Sequence, residues 1–193
     1  MEDKKNELFR CARELFAAKG FKDSNVADIA KMAGVSVGTF YNYYSSKEKL
    51  FMEVFLQENV RLKKSMMESV DPYDDPIKLA KRMLDFNMAG IKANPILRQW
   101  YDRDVFGRIE RLFREENGNR AVDFLYGDIV KLVQKWQAEG KMRSDIACDM
   151  IMALFAAIIN IDVHKEEIGL EYFPRLLDYM AEFVMKGLTD CSA

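Results

Sequence analysis

Apolar residues recur at helical spacing along nearly the whole chain, and this pattern constrains the fold more than any other feature. Strands would show alternating apolar and polar residues between hairpin turns, and no segment has that form. The periodicity therefore predicts an all-α protein. Its first amphipathic stripe consists of Leu8, Ala12, Leu15 and Phe16.

Glycine, asparagine and proline residues divide this pattern into about nine or ten helices. Gly20 follows the first helix, at a position where a left-handed residue commonly ends one. Asn25 and Ser36 are placed to cap the second and third helices. The later helices are expected over about residues 37–44, 46–70, 76–93, 95–116, 119–139, 144–165 and 171–187.

The composition is that of a soluble cytoplasmic protein. Apolar residues make up 49% and charged residues 31% of the chain, which is the balance of a folded globular protein. The longest apolar run, Met150–Ile159, is far shorter than the roughly 20 residues that a membrane helix needs. The charged N-terminal stretch has no signal-peptide pattern. A reducing compartment also fits three widely spaced cysteines, Cys11, Cys148 and Cys191.

The sequence contains no group of residues that catalysis or metal binding requires. His164 is the only histidine, and the sequence contains no Cys/His array that could bind a transition metal. The nucleophile elbow, the P-loop and the glycine-rich dinucleotide fingerprint are all missing from the chain. We therefore expect a protein that is not an enzyme and that needs neither a metal ion nor a cofactor.

Residues 25–47, NVADIAKMAGVSVGTFYNYYSSK, have the pattern of two short helices joined by a glycine turn. Gly34 allows the positive φ that a tight turn often requires, and Ser36 can cap the next helix. Gly38 and Thr39 are short enough to let that helix enter a major groove about 12 Å wide. The residues alone also permit a purely structural three-helix unit with an aromatic core.

Four aromatic residues of this segment should face in different directions. Phe40 and Tyr44 share one helix face and should pack inward, whereas Tyr41 and Tyr43 point elsewhere. Exposed tyrosines next to Lys47 suit hydrogen bonds to phosphates and contacts with thymine methyl groups.

The segment from about Lys5 to Phe55 resembles the DNA-binding domain of the tetracycline-repressor (TetR) family of bacterial transcription regulators. The matching pieces are ELFAAKGF (14–21) and VADIAKMAGVSVGTFYNYYSSKEKLF (26–51), above all GTFYNYY followed by SKEKL. The resemblance covers about the first quarter of the chain. It implies a DNA-binding domain over residues 1–50, which includes the start of a linking helix 46–70, and a helical effector-binding and dimerisation domain over residues 51–193.

The resemblance also implies which residues contact DNA. Asn25 lies where family members use Thr or Ser to touch a phosphate, and Lys47 lies at a usual phosphate contact. Val37 departs from the Lys, Arg or Gln often found there, so base reading should rest on Thr39 and apolar contacts. The full set of expected DNA contacts is Asn25, Ser36, Val37, Gly38, Thr39, Tyr41, Asn42, Tyr43 and Lys47.

Most methionines lie after residue 50, among aromatic residues, and such an interior can adapt around an apolar ligand. An ordinary soft core would have the same composition. A small-molecule effector is expected from the resemblance, and its candidate contacts are Met83, Phe86, Asn87, Trp100, Tyr101, Phe124, Met152 and Phe155.

The run Met150–Ile159 is apolar on every side of its helix, so all of its faces must be covered. It is either a central core helix or a helix that a second chain covers. The resemblance implies that it pairs with the helix over 119–139 in a four-helix dimer interface. The candidate interface residues are Val122, Ile129, Val133, Trp136, Ala153, Ala157 and Asn160.

Taken together, the resemblance implies a homodimeric regulator, most often a repressor, that binds two-fold operator DNA and is released by a small, largely apolar effector. The alternative is a helical scaffold that uses its three-helix head against protein. The net charge of −2 shows that bulk attraction would not hold this chain on DNA. Binding would instead depend on contacts placed by a dimer.

Overall fold

The computed structural model describes residues 2–115, 124–173 and 175–191, and all regular structure in these ranges is helical. Ten α-helices are present there, which confirms the predicted all-α class. Short 3₁₀ turns cover Leu97–Tyr101, Ile161–His164 and Leu170–Tyr172. The α-helices are α1 (Glu2–Lys19), α2 (Val26–Met32), α3 (Val37–Tyr41), α4 (Lys47–Glu68), α5 (Pro76–Ala93), α6 (Arg103–Glu115), α7 (Phe124–Ala138), α8 (Cys148–Asn160), α9 (Lys165–Ile168) and α10 (Arg175–Thr189).

Four predicted helices have different bounds in the structure. The helix expected over 37–44 ends at Tyr41, because the N–H groups of Tyr43 and Tyr44 both donate to the carbonyl of Phe40 and tighten the turn. The helix expected over 144–165 is interrupted after Asn160, and the helix expected over 171–187 begins at Arg175. Residues 119–123 of another predicted helix lie outside the described residues.

The fourth difference is that the helix expected over 95–116 is split at Asp102. This residue has an extended backbone, with φ −83° and ψ 114°, and its carboxylate accepts hydrogen bonds from the N–H groups of Asp104 and Val105. Such a geometry caps α6 and cannot continue the preceding turn. A capping aspartate inside a helical apolar pattern therefore accounts for the split.

The chain divides into two compact units. The first unit comprises residues 1–62 and 90–121, and the second comprises residues 63–89 and 122–193. These units are defined by contacts within the chain. The boundary near residue 50, which is expected to separate DNA binding from effector binding, stays a prediction.

The core of the first unit is rich in aromatic rings. Phe51 contacts Phe16 and Phe21 with ring centroids 5.1 and 4.9 Å apart. One helical turn later, Phe55 stacks on Trp100 at 5.4 Å. Burial of each such ring contributes about 1.5–3 kcal/mol, so residues 96–113 are held firmly to the N-terminal helices. The other fully buried side chains include Leu8, Ala12, Ile29, Phe40, Leu50, Val54, Val105 and Ile109.

The core of the second unit lies among α5, α7, α8 and α10. It contains aliphatic and methionine side chains around one tryptophan, so it packs by shape with few polar partners. No helix in the described part of the chain is long and apolar enough to cross a membrane. The buried members of this core are Leu79, Leu132, Val133, Trp136, Met142, Ile151, Met152, Met185 and Leu188.

Candidate nucleic-acid interface

The segment 25–44 folds as two short helices joined by a tight turn. Asn25 caps α2, since its Oδ1 accepts a hydrogen bond of 2.8 Å from the N–H of Asp28. At the other end the N–H of Val35 donates to the carbonyl of Ala30, and Gly34 has φ +65°. This is a Schellman ending, in which a glycine in the left-handed region reverses the chain. The predicted roles of Asn25 and Gly34 in the fold are confirmed.

The helix α3 begins at a second cap. The Oγ of Ser36 accepts a 3.0 Å hydrogen bond from the N–H of Thr39 and lies 2.9 Å from the Thr39 hydroxyl. The cap fixes the first turn of α3 in a defined orientation. Ser36 is therefore a capping residue, as predicted, and its hydroxyl is already engaged by Thr39.

The side chains of α3 separate into a buried and an exposed set. Phe40 and Tyr44 are buried, which confirms the prediction for this pair. Burial also raises the pKa of the Tyr44 hydroxyl, so this tyrosine stays neutral. The remaining residues are exposed or partly exposed and form what we call the recognition surface: Val37, Gly38, Thr39, Tyr41, Asn42 and Tyr43.

Gly38 has no role in the fold that requires a glycine. A Cβ at this position would meet only the Ser36 Oγ, at an ordinary contact distance of 3.7 Å, and its φ lies outside the left-handed region. The glycine thus leaves space on the exposed side of α3 rather than inside the protein. Such a gap suits the close approach of a partner to the helix backbone.

Lys47 has a structural role that the sequence did not predict. Its ammonium donates to the carbonyls of Phe21 and Ser24 at 2.8 and 2.7 Å and lies 4.2 Å from the Phe21 ring centroid. Partial burial lowers the pKa of this ammonium. Lys47 therefore fastens the loop between α1 and α2 to the start of α4. One of its three N–H groups is left for a phosphate, so that expected contact stays a prediction.

The candidate effector contacts are divided between the two units. Trp100 and Tyr101 belong to the first unit, and Trp100 is part of its aromatic core. Asn87 and the half-exposed Phe86 lie on α5 in the second unit, where the Asn87 Oδ1 accepts from Lys63 at 2.5 Å. The side chain of Phe124 lies outside the described residues. The structure brings together three candidates at the core of the second unit: Met83, Met152 and Phe155.

The candidate dimer contacts differ in burial. Val133 and Trp136 are buried in the core of their own unit, and Ile129 packs against that core. Ala153 and Ala157 are exposed on α8. Val122 and the side chain of Asn160 lie outside the described residues. The exposed alanines are thus the candidates that a second chain can reach without opening the core.

Sequence reasoning missed a buried carboxylate on α4. Glu58 is 6% exposed and falls at i+4 from Val54 and i+8 from Leu50, on the apolar stripe of the helix. A charged residue at a core position was the signal that could have identified it, because buried charges require partners.

The capped helices, the glycine turn and the exposed second helix define a helix-turn-helix protein. Residues 8–54 match the family model described as "Bacterial regulatory proteins, tetR family". The fold of the chain is similar to that of RolR, solved in complex with resorcinol, with a TM-score of 0.67 over 99% of this chain and 90% of that chain, at 17% identity. The N-terminal part of the chain is therefore a TetR-family helix-turn-helix domain of the kind found in bacterial transcriptional regulators.

Two curated relatives match over the N-terminal part. The chain is 34% identical over 62 residues to YdgC of Bacillus subtilis, an uncharacterized HTH-type transcriptional regulator. It is 30% identical over 67 residues to UidR of Escherichia coli K12, an HTH-type transcriptional regulator. These matches cover 32% and 35% of this chain and 32% and 34% of the relatives, about a third of their length.

Proposed function

We propose that the protein is a ligand-responsive regulator, in the repressor mode, that binds two-fold operator DNA in the cytoplasm as a homodimer. The observation that carries this proposal is the recognition surface. Val37, Gly38 and Tyr41 are exposed on a capped helix, although the Tyr41 ring also makes an edge contact with the buried Phe40 at 5.3 Å. Helices of this kind read base edges in the major groove.

Dimerisation is supported by apolar side chains on two packed helices of the second unit. On α8, Met150 is 57% exposed and is followed on the same face by Ala153 and Ala157. On α10, Phe183 is 65% exposed and stacks on Tyr179 at 6.0 Å. A second copy of this chain would cover these side chains and would place two recognition helices on successive half-sites.

The effector that we propose is small, largely apolar and carries a hydrogen-bond acceptor. Met83, Met152 and Phe155 offer an adaptable apolar lining at the core of the second unit. In the same core the indole N–H of Trp136 is buried, and no described residue accepts a hydrogen bond from it. An unpaired buried donor costs about 1–3 kcal/mol, which an acceptor on a ligand would recover. RolR, which shares the fold, was solved with resorcinol, a small aromatic molecule with such oxygens.

A gel shift with DNA fragments that flank the protein's own reading frame tests the proposed function. The regulator should shift at least one fragment at low salt, and log K should fall linearly with log salt because phosphate contacts release counterions. The alternative, a scaffold that uses its three-helix head against protein, predicts no shift with any fragment and no salt-dependent binding. That second result would overturn the proposal.

A further inference from the structure

Glu58 connects three elements of the first unit through one buried carboxylate. Its Oε1 accepts hydrogen bonds from Arg13 on α1 at 2.6 Å and from Arg61 at 2.9 Å. Its Oε2 accepts from the Nδ2 of Asn94 at 2.8 Å. Arg13 and Asn94 are 45 and 36 residues away in sequence, whereas Arg61 lies on the same helix. The carboxylate therefore joins α1 to the segment that follows α5.

Asn94 performs two tasks with the two ends of its amide. Its Oδ1 accepts from the N–H groups of Ile96 and Leu97 at 2.9 and 3.2 Å and so fixes the chain after Pro95, which ends α5. Its Nδ2 donates to Glu58. We call the segment Asn94–Leu97 the α5–α6 corner. A displacement of this corner must therefore stretch or break the hydrogen bond to Glu58.

The packing around this contact is close. Gly90, in the last turn of α5, lies against Leu62, which follows Glu58 by one turn of α4, and a Cβ on Gly90 would clash with it. Ile96 and Leu97 are also buried. The corner thus packs closely against α4. A displacement of the corner would therefore also displace the Glu58 carboxylate.

A buried carboxylate makes this link energetically significant. Leaving one of its oxygens without a donor incurs the desolvation cost of a charged group. A movement of Asn94 or Arg13 should therefore move the Glu58 side chain with it, because breaking the hydrogen bond costs more. The exposed ion pairs of Lys22 with Asp102 and Asp104 join the same parts of the chain, but solvent screens them. Glu58 is therefore the less screened of these two charged connections, and it acts beside the apolar Phe55–Trp100 contact and the hydrogen bond from the Phe21 N–H to Gln99.

We propose that Glu58 is a positioning residue, through which the α5–α6 corner sets the placement of α1 and with it the helix-turn-helix. A ligand that moves the corner would change DNA affinity by this route, and DNA would change the affinity for that ligand by the same factor. The consequence for DNA rests on the proposed function, whereas the coupling between the corner and α1 does not.

Asn94→Asp cuts the link with little other change. The aspartate keeps an oxygen for the N–H groups of Ile96 and Leu97, so the corner remains capped. It replaces the donor to Glu58 by a second carboxylate oxygen, which repels it. The matched control is Arg61→Ala, which removes another partner of Glu58 but one on the same helix.

Amide hydrogen exchange of the full-length protein, without DNA or ligand, measures the coupling directly. In Asn94→Asp we expect the amides of α1 around Arg13 to exchange about tenfold faster, although the substitution lies in another element. In Arg61→Ala the faster exchange should stay within α4. Arg13→Ala, which removes the donor at the exposed end of the link, should speed exchange in residues 94–101.

The proposal is overturned if α1 responds equally to Asn94→Asp and Arg61→Ala, or if it responds to neither. A second readout uses any upstream DNA fragment that the wild type shifts. There Asn94→Asp should change the Kd by about fivefold or more at constant salt slope, since the phosphate contacts are unchanged. Failure of every fragment to bind would contradict the proposed function alone, because the exchange measurement still decides the coupling.

Discussion

The two units of the molecule expose different kinds of surface. The first unit presents hydroxyls, an amide and tyrosine rings on α3 and the two residues after it, and Ser36 caps the start of this five-residue helix. The second unit presents methionine, alanine and phenylalanine side chains on α8 and α10. Both sets lie largely outside the buried core of their own unit.

This difference indicates two different partners. Polar side chains around a gap at Gly38 suit a hydrated, charged partner such as a DNA groove. Apolar side chains that project from two packed helices suit a second apolar surface, as in obligate dimers. If this division is right, substitutions on one surface should leave the function of the other unit intact, or affect it only through assembly.

The largest effect is expected from a charge on the apolar surface. Ala153→Glu places a carboxylate on the exposed face of α8, and a two-fold interface would bring it close to its own copy. Like charges at an interface cost several kcal/mol, so sedimentation velocity should show monomers and DNA affinity should fall at least about tenfold. The helix content measured by circular dichroism should not change.

Ala138→Glu is the matched control for this substitution. Ala138 is exposed at the last residue of α7, so the same charge is added outside the apolar side chains of α8 and α10. It should remain dimeric and bind DNA like the wild type. A dimeric Ala153→Glu protein would contradict the assignment of the apolar surface.

A smaller effect, on stability, is expected at Lys47. Lys47→Met keeps the length of the side chain but leaves the carbonyls of Phe21 and Ser24 without their donor. Hydrogen bonds to charged groups contribute about 1.5–3 kcal/mol, and a chain of this size loses about 2–4 °C in Tm for each kcal/mol. Thermal unfolding followed by circular dichroism measures the change. An unchanged Tm would contradict the structural role of this lysine.

The same variant tests the phosphate contact that the sequence predicts. If the remaining N–H of Lys47 binds a phosphate, the slope of log K against log salt should fall by about 0.9 for each of the two protomers on the operator. An unchanged slope together with a lower Tm would restrict Lys47 to its role between α1, α2 and α4.

The smallest effects are expected from a pair of glycines in the helix-turn-helix. Gly34→Ala places a Cβ on a backbone with φ +65°, which is strained for any residue but glycine. The strain costs about 1–2 kcal/mol, so the substitution should lower the Tm. Gly38→Ala meets only ordinary contacts and favours the helix by about 1 kcal/mol, so the Tm should hold or rise. Only Gly38→Ala should weaken DNA binding in anisotropy titrations without loss of stability. A lower Tm with unchanged DNA binding in Gly38→Ala would show that this glycine is required by the fold and not by DNA.

Features set by near neighbours in the chain were predictable from sequence. The caps at Asn25 and Ser36, the turn at Gly34 and the inward pair Phe40 and Tyr44 all depend on residues within a few positions. Propensity and periodicity carry that information directly. The family pattern then assigns a function to the same residues.

Features that depend on distant residues were not predictable. Lys47 binds carbonyls 26 and 23 residues away, and Glu58 binds Asn94 36 residues away. Helical periodicity also could not show that Val133 and Trp136 are buried within their own unit, because a core face and a dimer face have the same apolar pattern. These assignments require the three-dimensional arrangement of the helices.

The most direct test of the account compares two tyrosines in one DNA-binding titration. Tyr41 on the recognition surface and Tyr172 in the second unit are 55% and 57% exposed, so truncation of either removes a similar exposed area, and Tyr41 in addition loses an edge contact with Phe40. With an upstream fragment that the wild type binds, Tyr41→Ala should weaken binding by about 1–3 kcal/mol, while Tyr172→Ala should bind like the wild type. Equal affinities of the two variants would contradict the claim that α3 contacts DNA.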